Sequence, residues 1–341
     1  MSSTHPITTK QILTHGGLFL LTLFTTTVAG VQWIGANPFE LTNLPLGLPY
    51  ALSILFILSS HEFGHYFATR AHDVDATLPY YLPFPPIPSL MAMFLNFGTF
   101  GAVIRTRSVV PSKRAMFDIG VAGPIAGFVA SLLVLAYGFT HLPGREFMLS
   151  VHPDYDFTIN ASTGAKGMGL AFGDTALFDG LRWLLTDPAR QFVPPMSEIY
   201  HYPFLCVGWF GLFVTALNLL PMGQFDGGHI AYAMFGERHR TVARWTFLGL
   251  MVLSLPSLLD VVVRTILEAV RGHDPGTLIP FTEYSWWAWF VWALIAFYVV
   301  KLYHPALPDE TPLDRRRVII GWIAVAIFIL SFSPNPIVVW Q

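Results

Sequence analysis

The segment His61-Glu62-Phe63-Gly64-His65 places two imidazoles four residues apart, with a carboxylate beside the first. An α-helix turns once in about 3.6 residues, so His61 and His65 stand on one face, one above the other. Two imidazoles so placed can hold one Zn²⁺, and Glu62 is close enough to act as general base on a water at that metal. Zinc lowers the pKa of such a water to about 7, which makes hydrolysis accessible at neutral pH. Gly64 costs helix stability but removes bulk beside the two histidines. The competing reading is a chance match of the kind found in soluble surface helices. Here the pentad lies in an apolar run instead, where ionisable side chains are expensive and mark function.

A catalytic zinc takes a third protein ligand and keeps one position open. The best candidate is Asp226, in Asn218-Leu219-Leu220-Pro221-Met222-Gly223-Gln224-Phe225-Asp226-Gly227-Gly228-His229. Pro221 and the glycines break the preceding apolar helix and leave Asp226 on irregular backbone. At membrane depth such backbone is tolerated only where it is buried in protein or lines a wet cavity. Two alternatives stand beside this one. His229 is a second candidate for third ligand, since imidazole also suits zinc, and Asp226 is a good N-cap for a short helix. Asn218 has two readings of equal weight: a hydrogen bond to a neighbouring helix, or a donor to the substrate backbone or the developing oxyanion.

These residues need membrane helices to position them. The 341 residues are 53% hydrophobic and only 12% charged, with a mean hydropathy of +0.54, whereas soluble domains are about a quarter charged. A formal net charge of -2 gives no electrostatic footprint for nucleic acid. The single cysteine, Cys206, excludes an internal disulfide and a multi-cysteine metal site, and reads as a small buried residue. A spanning helix needs roughly 20 apolar residues, and seven segments qualify: about 14–34, 48–70, 115–140, 203–221, 242–263, 284–303 and 316–332. The first has small residues at Val28-Ala29-Gly30, as a signal peptide would, but Lys10 is the only basic residue before it and the apolar run continues past them; it reads as a retained anchor.

With the N-terminus in the cytoplasm, Arg145, Lys166, Arg182, Arg190, Arg264 and Arg271 fall outside, and the other 13 of the 19 basic residues fall inside. The second and fourth spans then both run inward, so the HEFGH pentad and Asp226 arrive at similar depth on the same side. Arg105 and Arg107 read as topology determinants. His72, His201 and His239 read as surface residues at span ends or in loops.

Two connections are more than turns. Residues 78–86 are Pro-rich and apolar, which forbids a helix and suggests a membrane-dipping loop; residues 78–88 are placed to gate access from the bilayer. The stretch from Gly98 through Gly101 and Val103 to Arg107 is β-prone, a short hairpin or edge strand. Residues 141–202 form a polar external connection with an amphipathic segment at 177–185 suited to the interface.

The HExxH pentad, the downstream N-x-L-P-x-x-x-x-D-G-G segment and Ala122-Gly123-Pro124 together resemble the site-2 protease family, peptidase family M50. The match covers about residues 48–236 and is closer to bacterial and plastid members that lack a PDZ insertion. Gly98-Thr99-Phe100-Gly101-Ala102 is similar to their glycine-rich stretch. Phe225 stands where leucine is common. The resemblance implies one zinc per chain held by His61, His65 and Asp226, Glu62 as general base, and Asn218 assisting substrate binding or the transition state. It implies regulated intramembrane proteolysis of transmembrane-helix protein substrates. The expected fold is all-α and polytopic: a single domain over 1–341, with about seven transmembrane helices and a dipping loop and short β-hairpin between the second and third. The expected setting is a bacterial inner membrane with the site toward the cytoplasm. Gly98, Gly101 and Val103 are the expected pairing positions for an unwound substrate. A metal transporter and a silent helix-binding relative are the rival readings. No inverted repeat supports the first, and the complete His61, Glu62, His65, Asp226 set opposes the second.

Overall fold

The computed structural model describes residues 8–87, 96–159, 161–162, 169–273 and 275–340. It is mostly helical. Helix α1 (Thr9–Trp33) starts from a capping box in which Thr8 and Gln11 satisfy each other's backbone. Then come α2 (Leu44–Ala71), α3 (Lys113–Thr140), α4 (Arg145–Val151), α5 (Ala176–Leu185), α6 (Pro203–Asn218), α7 (Asp226–Phe235), α8 (His239–Arg271), α9 (Ala288–Tyr298) and α10 (Arg315–Ser331).

Each of the seven expected spans contains a helix, but four helical runs are long and apolar enough to cross a membrane: Thr9–Trp33, Leu41–Ala71, Lys113–Thr140 and Asp226–Arg271. Helices α6 and α9 are apolar but shorter, and α10 opens on three arginines. The physical reason is punctuation. Helix α6 stops at Asn218, before Pro221, and the 284–303 segment is helical only from Ala288 to Tyr298. On α8, Leu248, Val252, Leu255 and Leu259 are exposed, the apolar surface that lipid contact requires.

The core is built from α2, α3 and α6. Helix α3 runs antiparallel to both neighbours. Its Gly127 lies beside His61 and its Gly123 beside His65, while its Leu135 lies beside Gly208 and its Ser131 beside Gly211. Small residues at these crossings let the backbones approach closely, the means by which helices associate where lipid offers no hydrophobic contrast. A Cβ at Gly64 would stand 2.6 Å from the Ala122 carbonyl oxygen, so Gly64 sets the α2–α3 approach as well as clearing space by the histidines. Helices α2 and α6 therefore run in the same direction, as the charge-derived topology requires.

Between α2 and α3, β1 (Tyr80–Pro83) pairs antiparallel with β2 (Thr99–Val103). Of the two readings of 98–107, a short hairpin or an edge strand, the structure has the edge strand, and the Pro-rich stretch itself supplies its partner. Pro83 falls at a register irregularity, where a missing N–H is tolerated. Pro88 and the residues up to Leu95 lie outside the described residues. Two further antiparallel pairs, β3 (Tyr155–Asp156) with β4 (Ala161–Ser162) and β5 (Gly169–Phe172) with β6 (Ile337–Trp340), shape the other end of the molecule. Amphipathic α5 buries Phe178 and exposes Trp183 and Leu184, as expected for an interfacial helix. Cys206 is free and fully buried.

Two histidines expected at the surface are not there. His201 and His239 are both buried, His239 with Nδ1 hydrogen-bonded to the Gly236 carbonyl and Nε2 accepting from the His304 amide. Their positions near helix ends suggested solvent, but the neighbouring segments fold over them. Arg105 and Arg107 are exposed. His72 joins a cross-helix network: its Nε2 lies 2.8 Å from Asp118 of α3, which also receives a two-pronged hydrogen bond from Arg317 of α10.

Candidate metal centre

His61 and His65 lie in the continuous helix α2, and their rings face α3 and α7. The Nε2 atoms are 3.0 Å apart, and Asp226 Oδ2 stands 3.4 Å from the first and 3.3 Å from the second. His61, Glu62 and His65 are less than a tenth exposed. Four ligands at zinc–nitrogen and zinc–oxygen distances of about 2.0–2.1 Å in a tetrahedron are separated by about 3.3–3.4 Å. The three observed separations sit close to that value, and a His₂Asp donor set suits zinc.

The orientation of His65 gives a second test of fit. Its Nδ1 donates to the Ile119 carbonyl of α3 at 2.7 Å, which leaves the Nε2 lone pair directed at Asp226 and His61. Metal-ligating histidines are characteristically held in this way. This partner is invisible in the primary structure, because a main-chain carbonyl has no residue type. Gly123 is similarly structural. A Cβ there would stand 2.1 Å from His65 Nε2, so only glycine leaves room for the ring. Its place in Ala122-Gly123-Pro124 was the available signal.

Asp226 is the first residue of α7 rather than part of an irregular loop, with Phe225 as N-cap and no side-chain capping bond. The carboxylate is therefore directed at the two histidines and does not cap the helix. Gly227 and Gly228 permit this, since a Cβ on either would collide with main-chain oxygens of residues 219–223. His229, the other candidate ligand, packs its ring on His304 at 4.9 Å, and its buried Nδ1 has no hydrogen-bond partner.

Glu62 lies next to this triad, buried in α2, the helix on which β2 packs. Asn218 closes α6 with its amide nitrogen 3.5 Å from His61 Nε2. The structure thus brings Asn218 to the centre itself.

The β2 positions divide. Gly98 donates its N–H to Asn96 Oδ1 and gives its carbonyl to Thr25 Oγ1 and to the Phe84 amide. A Cβ on Gly98 would stand 2.4 Å from Thr26 Cα, so its role is to seat the strand on α1, and it has no hydrogen-bonding group left for another chain. Gly101 has open space around it and a φ of +104, a conformation that favours glycine, and its N–H and carbonyl both meet Thr99 Oγ1. Val103 is half-exposed and pairs with Tyr80 on one side only. Among the described residues β1 and β2 form a two-stranded sheet, so β2 presents a second edge, with Phe100 exposed beside it.

A site that joins two histidines, a carboxylate base and an aspartate inside packed apolar helices is chemically suited to hydrolysis at a metal, and the comparisons with known proteins agree. The chain is 30% identical over 285 residues to the probable zinc metalloprotease EGY1, chloroplastic, of Oryza sativa subsp. japonica, covering 75% of this chain and 44% of that protein. It is 26% identical over 271 residues to the probable zinc metalloprotease EGY2, chloroplastic, of Arabidopsis thaliana, covering 79% of this chain and 43% of that protein. The chain thus spans less than half the length of these curated relatives. No solved structure matches it. The family model described as Peptidase family M50 matches residues 49–255, which include the HEFGH helix, α3, α6 and Asp226, and the chain belongs to that family.

Proposed function

We propose that this chain is a zinc-dependent endopeptidase that hydrolyses a peptide bond in or near the transmembrane segment of membrane-protein substrates, as in regulated intramembrane proteolysis. The observation that carries this reading is the convergence of His61, His65 and Asp226 within hydrogen-bonding distances of one another, in a core of membrane-length helices. A transmembrane substrate hides its scissile amide in an intact hydrogen-bond ladder, so local unwinding must precede cleavage, and the freed groups need partners in an apolar setting. The open edge of β2 offers them by strand addition around Val103, and at Gly101 once its contacts with Thr99 Oγ1 are given up. Because β2 packs on α2, the helix that carries Glu62, a substrate paired along the strand would lie beside the base.

A zinc ion held by His61, His65 and Asp226 would supply Lewis-acid polarisation of the scissile carbonyl and acidify the attacking water. Glu62 then accepts the proton of that water and passes it to the leaving amine. Asn218, at the edge of the triad, donates to the oxygen on which negative charge develops. The Pro-rich strand β1 and the residues around it flank the route from the bilayer and act as the gate. The excess of lysine and arginine assigned to one side favours an orientation with this end of the helices toward the cytoplasm, and the setting proposed is a bacterial inner membrane.

The test compares purified wild type with Glu62→Gln, reading bound zinc and cleavage of a model membrane-helix substrate. Zinc retained with cleavage reduced at least about 10²-fold is expected for loss of a general base. Equal cleavage by the variant would refute the mechanism, and zinc transport into vesicles by either form would favour the transporter reading.

A further inference from the structure

At the opposite end of α6 a second set of ligating side chains converges. Glu198 and His201 are three residues apart across a 3₁₀ turn (Ile199–His201), in which positions i and i+3 eclipse. His152 comes from the residue that ends α4. His152 Nε2 and His201 Nε2 are 3.0 Å apart, and Glu198 Oε2 stands 3.5 Å from the first and 3.8 Å from the second. These spacings resemble those of the HEFGH centre. The 16 residues of α6 separate the two sets, about 24 Å at the helical rise.

Three features distinguish this cluster from a chance grouping. Glu198 has a side chain only 8% exposed, and its Oε2 has no hydrogen-bond partner although it points at both imidazoles. A buried carboxylate oxygen so orphaned calls for a ligand. His201 Nδ1 donates to the Trp33 carbonyl at 2.9 Å, which fixes the tautomer and leaves Nε2 with a lone pair facing the cluster. His152 is the partly exposed member and offers an entry path. Among the described residues, the nitrogens that face Glu198 Oε2 are those of these two histidines.

We propose that His152, Glu198 and His201 form a second metal site that takes a borderline divalent cation of the zinc class, with one position left for water. The ion ties α4 to the turn that opens α6 and, through the Trp33 carbonyl, to the end of α1. It braces the connection 141–202 against the helical core. This site shares no residue with the HEFGH centre and does not depend on proteolysis.

The experiment counts metal. Full-length protein, free of any affinity tag, is stripped with a chelator, reloaded with zinc chloride, desalted and analysed by mass spectrometry for zinc per chain. Two ions are expected for wild type, and one each for Glu198→Gln, for His152→Gln and for the double variant His61→Ala, His65→Ala. Zinc should raise the thermal midpoint of that double variant by several degrees, and should cease to do so once Glu198→Gln is added. One ion in wild type, unchanged in Glu198→Gln and His152→Gln, overturns the inference even if the double variant fails to fold. Two ions in a protein that cuts no substrate would support this site while refuting the proposed protease.

Discussion

Replacing Gly123 by alanine tests whether α3 is the template that holds His65 in ligating position. The added Cβ would stand 2.1 Å from Nε2, 2.4 Å from Cδ2 and 2.5 Å from Cε1 of His65. Ordinary contact begins near 3.4 Å, so the ring must retreat by about 1.3 Å, the difference between 3.4 and 2.1. It cannot do so freely, because its Nδ1 is bonded to Ile119 on the same helix that carries the new methyl group. Overpacking of this kind costs about 1–3 kcal/mol, which a folded protein can survive. A ligand displaced by more than 1 Å should nonetheless weaken zinc by at least the roughly 10–100-fold seen when a ligand's supporting partner is removed. Zinc affinity is measured by chelator competition in a Glu198→Gln background, so that only the HEFGH centre contributes, alongside thermal unfolding and cleavage of a membrane-helix substrate. Gly127→Ala, whose Cβ would meet His61 at a milder 3.2 Å, should have a smaller effect, and Gly16→Ala, with nothing within 4 Å, should have none. Wild-type zinc affinity and cleavage in Gly123→Ala would refute the argument that this glycine makes room for the ligand.

Asn218→Ala should retain zinc and fold, yet lose about 10²–10³ in kcat, the range for removing one oxyanion donor. A change in KM alone would assign Asn218 to substrate binding instead. Removing metal with a chelator should abolish cleavage, and added zinc should restore it; activity that survives verified loss of all zinc would exclude the proposed chemistry. Asp118→Asn should loosen α10 from α3 by weakening its contacts with His72 and Arg317. Because these side chains are roughly a quarter exposed, the expected cost is about 1 kcal/mol, read as a fall of a few degrees in thermal midpoint. An unchanged midpoint would show that the network contributes little.

The metal centre could be read from the primary structure because its chemistry is local in one part and unusual in the other. The His61–His65 pair follows from helical spacing, and a cluster of ionisable residues in an apolar run has few structural uses. Asp226 was harder to place, because its neighbour His229 has an equally suitable ligating group and aspartate is also a good cap. Only the packing of α7 on α3 directs Asp226 to the histidines and His229 to His304. The strand pair was half legible. Proline excluded a helix over residues 78–86, but nothing local indicated that Tyr80–Pro83 would reach across to Thr99–Val103. Gly98 looked like part of an available edge until its two hydrogen-bonding groups were found engaged within the molecule.

What the sequence by itself determined was the solvent, the helical periodicity and the candidate hydrolytic groups, because composition and short-range spacing act without knowledge of the fold. It also indicated that the second and fourth spans run in parallel, since basic residues report orientation one connection at a time. Tertiary structure decided everything that depends on distance across the chain: the choice of Asp226, the meeting of Asn218 with His61, the need for Gly123, and the burial of His201 beside Glu198 and His152. Residues tens to more than a hundred positions apart meet only through helix packing. That packing is set by where small residues let backbones approach, a property of surfaces matched in three dimensions.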